Sequence, residues 1–301
     1  MRATRFQKYY VLLHVIIFIW GFTAVLGALI SLDALNLTFY RLAVAWVLLA
    51  AYAAIRRIPL LAFKIYEYKS FAFNGFLIGL HWLLFFAAVK TGGVSVTLVA
   101  LSSGAFFTGF LEPLIHKRKV SVYEIAAGLA VIGIMYFIFQ VGRVSWTAVF
   151  YGMAAAFMGS LFSVLNARLI QHYPAVSLSF WELFFAWIVV GILTAVTRRF
   201  VPPEIPDGKD WIWLGILGSI CTAYAFTASL RLLKVISPFT LILSINLEPV
   251  YGIILALLIF GEKEKMEWEF YAGALLIFLI VVGEGVLKYK QSRIRNMRLH
   301  D

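Results

Sequence analysis

LTFYRLAVAWVLLA, residues 37–50, returns as LSFWELFFAWIVVG at residues 178–191. Leu37 and Leu178, Phe39 and Phe180, Leu42 and Leu183, Ala45 and Ala186, and Trp46 and Trp187 coincide at a constant spacing of 141. Apolar composition alone does not put Trp and Ala in register, so the chain repeats itself. The same spacing pairs Lys90 with Arg231, and small gaps then bring Ser95 onto Ser237 and Gly128 onto Gly273.

The solvent around these repeats follows from composition. Apolar residues are 62% of the chain and charged residues 14%, against about 45–50% and about 25% in soluble globular proteins. The apolar residues gather into runs of about twenty, the length that crosses about 30 Å of hydrocarbon as α-helix. Ten such runs can be read, at 9–30, 36–55, 70–90, 93–115, 121–140, 145–168, 175–197, 210–232, 236–260 and 267–287. The expected fold is an all-α integral membrane protein. It divides into a first five-helix repeat at 1–142, a second at 143–290, and a basic tail at 291–301. Five is odd, so the second repeat enters the membrane inverted, the architecture of secondary transporters with a midplane site between repeats. The loops agree: HKRK at 116–119 is basic, whereas its counterpart GEKEKMEWE at 261–269 carries four acidic residues.

Charge fixes the expected orientation. Of the 26 Lys and Arg, 18 fall on the side of the N-terminus and seven on the other, with Arg41 inside a helix. By the positive-inside rule the chain is a multi-pass protein of the cell membrane with both termini cytoplasmic. The net charge of +11 is thus a topology signal and a contact with anionic lipid, not a nucleic-acid patch. The basic start resembles a signal peptide, but the 22-residue run exceeds an h-region and no A-x-A-like site follows, so it reads as an uncleaved helix. The single cysteine, Cys221, excludes an intrachain disulfide and any multi-Cys metal site.

With these residues on the page, the chain resembles the EamA-type branch of the drug/metabolite transporter superfamily. The resemblance rests on IWG at 19–21, Arg41, VKTGGVSVTLVALSSG at 89–104, and above all residues 235–283. There Ser237-Pro238, Glu248-Pro249, Gly261-Glu262 and Gly273 match the family's spacing. It implies a ten-helix inverted-repeat carrier of small metabolites, often amino acids or related compounds, usually moved outward. The first half departs from the pattern, reading SSGAFFTGF where the family often has a proline. Glu112 and Glu248 are not repeat equivalents.

Glu248 is the middle residue of its run, too deep to reach water. An ionisable group there costs at least ~3 kcal/mol on insertion scales and is a functional candidate by default. Pro249 removes a backbone donor, and irregular backbone at depth is tolerated against protein or a water-filled cavity. Glu-Pro therefore reads as a bent, wettable wall with Pro249 as hinge, the alternative being a protonated, structural Glu248. Ser244 lies one turn earlier on the same face, with Asn246 displaced around it. His81 and Trp82 sit midway along the third run, where His81 would carry a proton, bind a carboxylate, or simply bond a neighbour. Trp20, Phe107 and Tyr224 are expected to turn towards the cavity, and Ser103 with Ser102 and Gly104 either lines it or packs. Arg41 is expected near the surface opposite the termini, snorkelling or paired with Asp33, and Glu112 as a solvated anchor. Gly75 and Gly79 make a GxxxG, weak by itself.

The candidate substrate-binding set is therefore Glu248, His81, Trp82, Ser103, Trp20, Tyr224, Asn246 and Ser244. Neither a cofactor nor a metal is expected. No G-x-x-x-x-G-K-[ST] provides for ATP, so energy must come from a substrate or ion gradient; proton coupling and facilitated diffusion both fit. The competing classes are an intramembrane enzyme, which would need a nucleophile and base, paired carboxylates or metal ligands in helical register, whereas no H-E-x-x-H or G-x-S-x-G occurs and the five His are scattered, and a non-transporting scaffold. Oligomeric state is not legible.

Overall fold

The computed structural model describes residues 2–61, 63–141, 144–197 and 203–297. Arg143, Arg198 and Arg199 of the charge tally and residues 298–301 of the tail lie outside the described residues. So do the side chains beyond residue 283, Glu284 among them. Among the described residues all regular structure is helical: α1 (Arg2–Leu29), α2 (Ala34–Ile55), α3 (Glu67–Leu101), α4 (Gly104–His116), α5 (Val122–Val141), α6 (Trp146–Leu169), α7 (Ala175–Thr197), α8 (Gly208–Gly218), α9 (Ala225–Leu232), α10 (Pro238–Ile245), α11 (Glu248–Phe260) and α12 (Trp268–Met297). A π-helical turn, Ser219–Tyr224, joins α8 to α9.

These elements make the ten expected spans, three of them interrupted. The third and fourth are joined in α3, which is broken at Gly93 (φ 81°). The fourth continues through Ser102 and Ser103 into α4, the eighth is α8, the π turn and α9, and the ninth is α10 and α11. Exposed apolar side chains such as Val11, Ile55, Leu114 and Phe150 ring the bundle, as a protein solvated by lipid requires.

The repeat seen in the sequence meets itself in space. Trp46 stacks on Trp187 with ring centroids 5.6 Å apart and planes 6° from parallel. Trp46 also lies 5.8 Å from Phe180, and Trp187 lies 5.5 Å from Phe39. Since Phe39 and Phe180 are themselves equivalents, residue i meets j while j meets i, the signature of a two-fold axis. Small residues bring α3 onto α7: a side chain at Gly75 would run into Phe185, and one at Gly79 into Ala186. That is how the GxxxG is used.

The two interrupted spans 94–116 and 238–260 cap one another. Glu264, beyond α11, accepts from Val94 N (2.9 Å), Ser95 N (3.1 Å) and Ser95 Oγ (3.0 Å). These are donors that a new helix start leaves without intrahelical partners. Gly93 is required there, because a Cβ would lie 2.7 Å from Glu264 Oε1 and φ is positive. Reciprocally, Glu112 near the end of α4 accepts from Phe239 N in the first turn of α10 (2.8 Å) and pairs with Arg118 Nε (3.2 Å). Both carboxylates are buried. This corrects the expectation of a solvated Glu112: its helix end is covered by α10, whose exposed N–H groups attract a carboxylate. Arg118 also bonds Glu124, and these two carboxylates raise the Arg118 pKa against the opposing pull of partial burial.

Candidate functional site

A cavity runs into the interior, enclosing with its open mouth about 840 Å³. Trp20 and Thr23 of α1, Arg41 of α2, His81 and Trp82 of α3, Ser163 of α6 and Asn246 with Glu248 of the ninth span all line it. Its lining reaches Leu233 beyond the end of α9 and Leu241 in the first turns of α10. It therefore extends towards the face that carries the N-terminus. On the opposite face Asp210 accepts from Ser31 N (2.9 Å) and Ser31 Oγ (2.5 Å), and Lys90 Nζ donates to Ile30 O (2.5 Å), tying α8 and α3 to the end of α1.

Glu248 is placed by a helix break. Asn246 N, Leu247 N and Val250 N bond three residues back, to Leu243, Ser244 and Leu247 carbonyls at 3.0–3.1 Å. Pro249 has no N–H to offer and the turn tightens. Glu248 is 4% exposed. The equivalent break in the fourth span needs no proline. Ser102 N and Ser103 N bond to Val99 and Ala100 carbonyls, while Ser102 Oγ and Ser103 Oγ bond back to Leu98 O (3.3 Å) and Ala100 O (2.8 Å). Hydroxyls returning to their own helix bend it.

Of the eight expected site residues, five converge on the cavity: Trp20, His81, Trp82, Asn246 and Glu248. Three do not. Ser103 is spent on its helix break, and Ser244 Oγ donates to Thr240 O (2.7 Å). Tyr224 is 52% exposed, because the π turn that it ends inserts a residue and swings the face by about 100°. Phe107 packs on Phe106 and Phe157 instead. His81 Nδ1 carries a proton, since its partner at 2.7 Å is the Ala155 carbonyl, which can only accept.

Arg41 is the residue that the sequence misplaced. It is 1% exposed and neither snorkels nor meets Asp33, whose carboxylate caps α2 at Asn36 N (2.9 Å). Its guanidinium carbon sits 4.1 Å from the Trp82 ring centre and 5.3 Å from that of Phe86, a cation–π seat. Its Nε donates to Thr222 Oγ1 (2.6 Å), and Nη1 has no partner. Asn246 Nδ2 is likewise buried and unpartnered. Arg41 and Glu248 are the two charged residues of the lining. They act on each other electrostatically without forming an ion pair. The arrangement offers one fixed cation, one carboxylate and a spare amide within a largely apolar wall of aliphatic and aromatic side chains.

Another buried carboxylate, Glu182, is used differently. Asn74 Nδ2 and Asn166 Nδ2 donate to its two oxygens at 2.9 and 3.2 Å, tying α3, α6 and α7 together away from the cavity.

The family model described as the EamA-like transporter family matches residues 7–140 and 146–283. A solved structure titled "Crystal structure of protein" has 14% identity and a TM-score of 0.71, over 95% of this chain and 99% of that one. At that identity the likeness concerns the fold alone. None of the curated proteins compared matches the chain.

Proposed function

The chain belongs to the EamA-like transporter family, and on that premise we propose that it carries a small metabolite, an amino acid or a related compound, across the cell membrane by alternating access. The observation that carries this reading is the pair Arg41 and Glu248, held in one cavity without contacting each other. Two buried opposite charges left unpaired are costly, and a solute bearing both charges would satisfy each. The aromatic wall of Trp20, Trp82, Phe85, Phe162 and Phe226 suits an apolar side chain on that solute.

The proposed direction is export, with the basic face cytoplasmic, so that the cavity of this conformation takes up solute from the cytoplasm; the gradients of solute and coupling ion set the net flux. A reporter that folds only outside the cytoplasm should then be silent when fused at Asp301 and active when inserted within residues 262–269; the reverse pattern would invert the topology. Pro249 is the proposed hinge, and Glu248 or His81 the proposed proton carrier if transport is coupled. Purified protein in liposomes should exchange preloaded amino acid for labelled amino acid outside. Absence of exchange with every amino acid, nucleobase and organic cation tried, in folded protein, would favour a scaffold or an intramembrane enzyme.

A further inference from the structure

We propose that Thr222, presented by the π-helical turn Ser219–Tyr224, is the positioning residue that holds Arg41 as the carboxylate-binding group of the cavity. This rests on the reading above only in taking the cavity to be occupied by substrate.

The turn rearranges three bonds at once. In an α-helix Ala225 N–H would bond to Cys221 O; here it reaches Ile220 O and Thr222 O, and the spacing of five is the π pattern. The freed Cys221 carbonyl accepts from Trp20 Nε1 at 3.2 Å, fixing one wall of the cavity. The Thr222 hydroxyl has a single proton, given to Leu217 O five residues back at 2.6 Å. It therefore turns lone pairs, not its hydrogen, towards Arg41, and accepts from Nε at 2.6 Å.

A guanidinium held at Nε and resting on Trp82 has lost its freedom to swing. Its remaining donors point in a set direction, which is what two-pronged recognition of a carboxylate needs. An arginine kept only for packing would have its buried donors consumed, whereas Nη1 is without a partner. The Asn246 amide nitrogen, also buried without one, is a second spare donor in a residue of the cavity lining. Glu248, repelled by any carboxylate, is left for the solute's cationic group.

The test uses three probes of one shape: L-leucine, its carboxylate-free counterpart 3-methylbutylamine, and its amine-free counterpart 4-methylpentanoate. Binding is read from Trp fluorescence of the full chain in detergent, since Trp20 and Trp82 line the cavity. The parent should bind leucine more tightly than either single-charge probe. Thr222→Val, which keeps shape and removes the acceptor, should weaken leucine binding about tenfold or more and leave 3-methylbutylamine within about twofold. Thr222→Ser should restore leucine binding. The proposal is overturned if the parent does not prefer leucine to 3-methylbutylamine, if no probe binds, if Thr222→Val weakens both alike, or if serine fails to restore. Leucine exchange in liposomes separates the two readings. Binding that follows the expected pattern without exchange removes transport and leaves Arg41 its role; exchange without carboxylate preference does the opposite.

Discussion

Glu248→Gln is expected to leave the protein folded and to cut amino-acid exchange about a hundredfold. The side chain keeps its size and most of its hydrogen-bonding capacity, and among the described residues no group donates a hydrogen bond to the Glu248 carboxylate. What disappears is the negative charge proposed to pair with the solute's cationic group. Removing one partner of a buried, hydrogen-bonded charge pair costs roughly 2–5 kcal/mol, and each ~1.4 kcal/mol is tenfold, so a hundredfold loss is at the modest end. Exchange is to be measured in liposomes at matched protein content, with the melting temperature as the check on folding. Ser244→Ala is the control: its hydroxyl is bonded back to Thr240 O, so exchange should be unchanged. If the Gln variant exchanges at the parent's rate, Glu248 has no part in the mechanism and Pro249 is merely a bend.

The spans were legible because runs of twenty apolar residues have no other home, and the two-fold because Trp46 and Trp187 mark it in register. The break of the ninth span was legible through Pro249. Its counterpart at Ser102–Ser103 was not, since hydroxyls returning to carbonyls leave no distinctive residue. Glu264 caps Val94 across 170 positions, and no local pattern announces such a pairing. Tyr224 was misplaced because SICTAY contains neither Gly nor Pro, so nothing marks it as a π turn. Arg41 was misplaced because its seat on Trp82 joins two helices that no local pattern pairs. A long helix with an even hydrophobic circumference conceals its register, and the site depends on that register.

The stacked pair at the axis carries the largest expected effect on stability. Trp46→Ala and Trp187→Ala should each destabilise by about 2–4 kcal/mol, somewhat below the ~3–5 of a fully enclosed Trp, because both rings are only partly buried. Lipid replaces no specific contact, so what is lost is packing. The two substitutions remove the same stacking contact, so together they should cost less than the sum of the singles by about 0.5–1.5 kcal/mol. Phenylalanine provides a sharper reading. The indole nitrogens of Trp46 and Trp187 are buried with no acceptor, and Trp→Phe at either position removes a donor whose burial costs about 1–3 kcal/mol. That gain offsets the lost ring area, so the Phe variants should melt within a few degrees of the parent while the Ala variants do not. Unfolding of the purified protein in mixed detergent gives all four values and the coupling. Additive Ala singles would mean that the rings do not stabilise each other, and the two repeats would have to be held by the aromatic flanks, Phe39 and Phe180, instead.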